Sequence, residues 1–437
     1  MLQRVYPMKH IFVVGLDDFH LAQLRTLPDA EQYLFHPLFT YREIKQQDRF
    51  PVAWLIDEGA RKLQAFPDRV SAVVGYWDFP VSTTLPILRR SVGLPGPSLE
   101  SVLKCEHKYW SRLLQRQVVP ENVPDFCAVD PFSPDPLGQV TIAFPFWLKP
   151  VKSVLSHLGF RINDPSDFKD AIRRIRAEIY RYAEPFNLIL KRAELPSEIV
   201  PIDGFHCVAE TLISGGSQCT QEGYVFGGAV NVYGTVDSLR CGPAQSSFSR
   251  YQYPSDLPES VRHRMAEICR RFIQHIGYDT APFNIEFFWE AAKDRIWLLE
   301  INPRISKSHA PLFHMVDGIY HHQVMVDLGL GRCPQFSPGG GQHPLAAKFM
   351  VRAFADARVT RVPTAAEISS VEQEVPGTRI LVEVREGMLL SEMRDQDSYS
   401  YELATIFVGA DNHAELESRF HACMARLPLH HEELPKA

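Results

Sequence analysis

The alternation of apolar and polar positions is sharpest in the segment FNIEFFWEAAKDRIWLLEINPR, residues 283–304. Taken by twos, Asn284, Glu286 and Phe288 fall on one face of a strand, and Ile285, Phe287 and Trp289 on the other. Ile296, Leu298, Glu300 and Asn302 share a face opposite Trp297, Leu299 and Ile301 in a second run. A turn through Ala291–Arg295 pairs the two runs antiparallel, setting Glu286 against Glu300 and Asn284 against Asn302. Two carboxylates on one hairpin face are usually just solvated, but like charges directly opposite destabilise a sheet. A cation between them removes that cost. Two carboxylates and an amide suit Mg²⁺ or Mn²⁺, with phosphate completing the shell. Arg304 follows, a guanidinium suited to a phosphate or carboxylate.

The same patterning divides the rest of the chain. Strands are expected at His10–Val14, Val52–Ile56 and Val70–Val74, a helical piece at Leu85–Arg90 and a turn at Leu94–Pro97. This is the alternation of a doubly wound α/β unit. Gly15 ends the first strand, but no G-x-G-x-x-G follows, so no dinucleotide site is read. Ser98–Gln117 reads as one helix with Ser98 as its N-cap, before a proline-rich linker. Ile142–Lys149, Leu188–Lys191 and Phe205–Ile213 read as strands, Phe168–Ala183 as a helix, and Gln221–Val236 as a strand pair. Pro258–Ile276 reads as an amphipathic helix closed by Gly277. A helix near Ile319–Leu328, a break at Pro338–Gly341 and a last helix near Asn412–Ala425 complete the pattern.

Length and composition narrow the classes. A chain of 437 residues exceeds one comfortable core. With 45% hydrophobic and 22% charged residues it has ordinary globular composition. The net charge of −6 and the lack of a basic block argue against a nucleic-acid partner. No apolar run approaches a membrane span, and the first residues read as a strand rather than a secretory signal. Eight scattered cysteines without a C-x-x-C pair fit reduced, cytoplasmic thiols. The adjacent His321 and His322 lack zinc-ligand spacing and read as structural.

Asn284-x-Glu286-Phe287 followed by Leu299-Glu300-Ile301-Asn302-Pro303-Arg304 resembles the metal-binding signature of the ATP-grasp superfamily, nearest to carboxylate–amine ligases and biotin-carboxylase-like members. The resemblance implies a multidomain α/β and α+β chain. An N-terminal Rossmann-like pre-domain would span 1–100 and the ATP-grasp core 101–335, with its lid at about 140–212. A C-terminal α+β extension would span 336–437. It implies ATP and Mg²⁺ or Mn²⁺ as cofactors, Glu286, Glu300 and Asn302 as metal ligands, and a homodimer as candidate assembly.

By the same resemblance, Lys149 in FPFWLKP and Lys108 before the core are the phosphate lysines. NLILKRAE resembles the hinge strand, putting Lys191 near adenine and the Arg192 and Ala193 amides on the base. Glu210 would bond ribose or position the phosphate lysines, and His206 is a weaker candidate beside it. The loop after Lys149 is glycine-poor. Ser153 and Ser156 could compensate with hydroxyls, and Lys152 with charge. Lys149, Asn302 and Arg304 are the candidate catalytic residues. Arg304, Ser306, Ser308 and His309 are the candidate substrate residues, His309 also as a general base, and Lys307 could meet a second carboxylate. The reaction implied is activation of a carboxylic acid as an acyl phosphate for attack by an amine. Carboxylation with bicarbonate and a nucleotide-binding protein without catalysis are the alternatives.

Overall fold

The computed structural model describes residues 8–434 except 46, 48, 155–156, 214, 243–246, 394–395 and 397–398. The N-terminal unit is a parallel sheet. Strand β1 (Lys9–Leu16) lies between β2 (Tyr33–Thr40) and β3 (Val70–Val74). Gly15 sits at φ +86°, and its carbonyl accepts from the Trp77 indole at 2.7 Å. A Cβ there would lie 2.6 Å from the Trp77 ring, so glycine is required by both backbone and neighbour. The strand expected at Val52–Ile56 is instead the start of a helix, Val52–Gln64. Val52, Leu55, Ile56, Gly59 and Leu63 are its buried residues, which is helical spacing.

The next unit is an antiparallel sheet of β4 (Phe126–Val129), β5 (Phe146–Pro150), β6 (Phe160–Ile162) and β7 (Cys207–Thr211), in the order β4-β7-β5-β6. A helix, Pro165–Glu178, buries Phe168, Ala171, Ile172 and Ile175 in the same core as Phe146, Leu148 and Ala209. The run expected as a strand at Leu188–Lys191 ends a second helix, Tyr180–Leu190, whose Phe186, Ile189 and Leu190 are buried. A short apolar run fits either element, and tertiary packing decided for the helix.

The largest sheet carries the hairpin. It contains β8 (Ser217–Phe226), β9 (Ala229–Cys241), β10 (Ser247–Tyr253), β11 (Ala281–Glu290), β12 (Arg295–Asn302) and β13 (Leu345–Ala353). After the short β14 (Ala357–Arg361), which lies outside it, β15 (Thr378–Val382) and β16 (Tyr401–Ala410) complete the sheet. The order is β12-β11-β8-β9-β10-β13-β16-β15, antiparallel throughout, so it continues across residue 336 into the C-terminal segment. Under the hairpin, the helix Glu259–His275 packs Met265, Cys269, Phe272 and Ile273 in one core with Phe283, Ile285, Phe287 and Ile301. Among the described residues, no helix is long and apolar enough to cross a membrane.

Two local departures place the site. The stretch Ser98–Gln117 forms two helices, Leu99–Glu106 and Lys108–Val118, and Ser98 caps the first by accepting from Ser101 N. His107 breaks the run and caps the second helix, accepting from Trp110 N at 3.1 Å through Nδ1. Lys108 therefore begins a helix rather than continuing one. In the hairpin, Asn284 pairs with Asn302 and Glu286 with Glu300 as expected, but a bulge follows, so that Phe287 pairs with Leu298. The bulge splits the expected face: Ile296 and Leu298 join the core, while Glu300 and Asn302 face a cavity.

A bulge frees backbone carbonyls, and a buried one without a partner is costly. Arg112, from the second helix and 2% exposed, answers this. It donates to the carbonyls of Leu298 and Leu299, each at 2.8 Å. Its other donors go to both oxygens of Glu210, at 2.9 and 3.3 Å, and to Gln115 Oε1 at 2.6 Å. All the N–H donors of the guanidinium are thereby used.

Arg112→Met will leave Glu210 with Lys149 as its remaining charge partner and the bulge carbonyls without their donor. Removing one partner of a buried pair costs about 3–5 kcal/mol, to be read as a lowered urea midpoint. Burial raises the Glu210 carboxyl, but Arg112 and Lys149 outweigh it and hold the group at about 2 against the ordinary 4.5. The folded state is the weaker proton binder, so this stability is complete above pH 4.5 and is lost as pH falls towards 2. On the order of 3 kcal/mol should disappear across that window. Acid titrations of wild type and Glu210→Gln will show the component as a steeper loss in wild type.

Candidate active site

A cavity of about 2080 Å³ is lined by the β5–β7 sheet, the hairpin, the C-terminal ends of β1 and β3, and the C-terminal segment. Single-ligand pockets run to about 1,000 Å³, so this one has room for a nucleotide and further substrates. Lys108, Lys149, Glu210, Ser153, Glu286, Glu300, Asn302, Arg304, Ser306, Ser308 and His309 all line it.

The hairpin carboxylates differ in state. Burial and the facing Glu300 push the Glu286 carboxyl up to about 7. Glu286 accepts from Gln218 Nε2 at 3.1 Å, and Gln218 is itself held by Arg240 at 2.6 Å. Burial also raises Glu300, but Lys108 and Lys149 outweigh it and hold that carboxyl below its ordinary range. Lys108 Nζ lies 2.8 Å from Glu300 Oε1 and donates to Ser153 O at 3.1 Å. Asn302 donates to Asn284 Oδ1 at 3.0 Å, and Asn284 donates to Arg304 O at 3.1 Å. Both asparagines are thus fixed, with the Asn302 oxygen turned away from Asn284.

This donor set fits a hard divalent cation. Two opposed carboxylates, one with its proton affinity raised by the other, gain most from a positive charge between them. Among the described residues no group of three or more His, Cys, Asp or Glu side chains could hold a metal. A site of two carboxylates and an amide leaves coordination positions for phosphate oxygens.

Lys149, at the end of β5, lies 2.9 Å from Glu210 Oε2. Burial lowers its ammonium while Glu210 opposes that loss, so Glu210 acts here as the positioning carboxylate. Arg304 donates to Asp78 Oδ2 at 2.7 Å, and its Nε has no partner among the described residues. Burial opposes the Asp78 charge, but Lys152, Arg304 and Lys45 outweigh it and keep the carboxyl well below its usual range.

Several expectations fall elsewhere. Lys191 is the C-cap of the helix Tyr180–Leu190; with Arg192 and Ala193 it lies off the cavity, because that run folded as a helix. The segment that reaches the cavity at the joint between the two sheets is Thr211–Ile213. Lys152 is buried against Glu106 and 3.3 Å from Asp78, so its charge is already engaged. Ser156 lies outside the described residues. His206 is paired with Asp203 at 3.0 Å and lies off the cavity. His309 is 2% exposed and bonds Glu222 at 2.8 Å. Burial, with Lys348 and Arg304, lowers its imidazole to about 3, while burial raises Glu222 to about 7. His321 donates through Nε2 to Ser306 O at 2.9 Å, fixing the loop after Arg304.

Sequence reasoning missed Arg112, Asp78, Gln218 and Glu222, and the residues Asp17, His20 and Trp77 on the N-terminal wall. Those at the N-terminal unit follow β1 and β3 directly, the edge where open α/β sheets place their ligands, so that signal was present.

The comparisons with known proteins agree with this geometry. Residues 252–333 match the family model described as carbamoyl-phosphate synthase L chain, ATP binding domain. An L-amino acid ligase from Bacillus licheniformis superposes with a TM-score of 0.68 at 15% identity, over 98% of this chain and 100% of that one. An ADP complex of N5-carboxyaminoimidazole synthetase from Staphylococcus aureus gives 0.64 at 11% identity, over 96% and 98%. The biotin carboxylase domain dimer of a 2-oxoglutarate carboxylase from Hydrogenobacter thermophilus, complexed with MgADP, ADP and bicarbonate, gives 0.61 at 14% identity, over 98% and 92%. The hairpin signature lies inside the matched segment, and the likeness to these solved structures shows that the chain has the ATP-grasp fold.

Proposed function

We propose that the protein is an ATP-dependent carboxylate–amine ligase, joining an amino acid or other small carboxylic acid to an amine with release of ADP and phosphate. The observation that carries this reading is the convergence of Lys108, Lys149, Glu286, Glu300, Asn302 and the Asp78-held Arg304 on one cavity.

A carboxylate resists attack because its charge repels an amine and it has no good leaving group. Transfer of the γ-phosphoryl of ATP to the acid gives an acyl phosphate, which has one. Such transfer needs positioning and charge neutralisation more than covalent help. Mg²⁺ or Mn²⁺ held by Glu286, Glu300 and Asn302 would supply neutralisation of the β- and γ-phosphate oxygens. Lys149, kept in place by Glu210, balances the remaining phosphate charge, and Lys108 adds a second ammonium beside Glu300. Arg304 holds the acid and then the oxyanion that forms when the amine adds. The Thr211–Ile213 segment is the candidate adenine wall.

A screen of Mg-ATP with pooled amino acids and small acids should release phosphate and yield amide masses. Release that depends on bicarbonate would favour carboxylation instead, and tight ATP binding without turnover would mark a binding protein. Glu300→Gln should lower turnover by on the order of 10²–10³-fold, the scale for losing one charge-stabilising group, and weaken Mg-ATP binding. Wild-type activity in that variant would remove the metal assignment.

A further inference from the structure

The ligase chemistry leaves one group on the cavity wall without a task. Asp17 and His20 follow β1, and the His20 Nδ1 lies 2.7 and 2.8 Å from the two Asp17 oxygens. A carboxylate accepts, so Nδ1 carries the proton and Nε2 presents its lone pair. Nε2 has no partner among the described residues, and His20 lines the cavity although only 5% exposed. The ring is fixed by stacking on Tyr76 at 4.3 Å, and Tyr76 donates to Gly15 O at 3.2 Å.

The same segment reaches the acid-holding arginine. Two residues beyond Tyr76, Asp78 binds Arg304. Between them, the Trp77 ring lies 4.3 Å under the Lys307 ammonium. Residues 76–78 and 304–307 therefore meet at both ends, with Asp78 on Arg304 and Trp77 on Lys307. Lys307 forms no ion pair among the described residues, whereas its neighbour Lys348 lies 3.4 Å from Glu402.

We propose that Asp17, His20 and Lys307 form the acceptor end of this cavity: an amino acid binds with its amine at His20 Nε2 and its carboxylate at Lys307. This rests on the ligase reading. The incoming ammonium gives one proton to Nε2, and the freed nitrogen lone pair attacks the acyl carbon. The C–N bond forms, the C–O bond to phosphate breaks, and phosphate leaves with that electron pair. The second proton released from nitrogen passes to the departing phosphate.

His20 has the chemistry for this where His309 does not. Burial lowers the His20 imidazole, the bonded Asp17 opposes that, and Lys307 adds to the lowering. Burial raises the Asp17 carboxyl, but its bonds to His20 outweigh this and keep it ionised. The other titratable groups facing His20 are Tyr76 and His322, and burial holds both uncharged. His309, by contrast, leans on a carboxyl that burial drives towards protonation.

The test uses two acceptors with the full-length protein, Mg-ATP and pooled amino acids as acids. Hydroxylamine is already unprotonated at neutral pH and needs no base, so it traps acyl phosphate as a hydroxamate. His20→Gln should lose at least 100-fold in amide formation while hydroxamate formation falls less than 3-fold, and the acid limb of the amide pH profile should vanish. Lys307→Met should raise the acceptor KM at least 10-fold for free amino acids and less than 3-fold for their carboxamides. Wild-type amide synthesis in His20→Gln, or equal loss of amide and hydroxamate, would overturn the proposal. A wild-type protein that makes no hydroxamate with any acid would overturn the ligase reading itself, and this inference with it.

Discussion

The buried guanidinium of Arg112 is the interaction on which the site depends. Two segments that sequence places far apart are fixed by it at once. Its bonds to Leu298 and Leu299 satisfy the bulge that turns Glu300 and Asn302 into the cavity. Its bonds to Glu210 hold the carboxylate that positions Lys149. A lysine could not replace it, because three donors on a single nitrogen cannot span two carbonyls, a carboxylate and an amide in different directions. The helix that carries Arg112 begins at Lys108, whose ammonium reaches Glu300 from the other side. About one turn of helix therefore sets both Lys108 and Lys149, directly or through Glu210.

The charges form a ladder rather than a scatter. Lys149 answers Glu210, Lys108 answers Glu300, and Arg304 and Lys152 answer Asp78. Glu286 has no lysine or arginine within ion-pair distance among the described residues and accepts only from Gln218. Among the hairpin, Glu210 and Asp78 carboxyls, its own is the one pushed upward. Of these carboxylates, Glu286 alone lacks a basic partner among the described residues, at the point where the proposed divalent cation would fit. A charge left buried without a partner is costly in the free protein, and that cost is recovered when the cation arrives.

Much of this was legible in sequence because the hairpin's chemistry and its periodicity coincide. Two alternating runs, a short turn and an E-I-N-P-R ending set the register of Glu286 on Glu300, and the structure keeps it. The bulge was not legible, since it depends on Arg112, 174 residues before Glu286 in the chain. Leu188–Lys191 failed for a different reason. Three apolar residues in a row carry no period, so the hinge was placed on a run that packs as a helix end. Helix Val52–Gln64 was misread from its first turn alone, although Gly59 and Leu63 continue its buried face. What sequence could not supply were pairings between distant segments, such as Asp78 with Arg304.

That pairing also bears on how two successive reactions can share one cavity. In the proposed ligase reaction, Arg304 would be near the γ-phosphate when the acid is activated, and near the amine when the acyl group is transferred. Asp78 ties it to the segment that follows β3, which is rigid because Trp77 and Tyr76 both bond Gly15 at the end of β1. Arg304, the group proposed to hold the acid, is therefore anchored to the hairpin on one side and to the N-terminal sheet on the other. Glycine at position 15 is what lets the indole approach closely enough to lock that anchor. A side chain there would push Trp77 away, and Asp78 and Arg304 would shift with it. In the proposed reaction the position of the acyl group would thus be set by a backbone contact in a different sheet from the candidate metal site, and the two ends would be kept in register by packing rather than by any shared ligand.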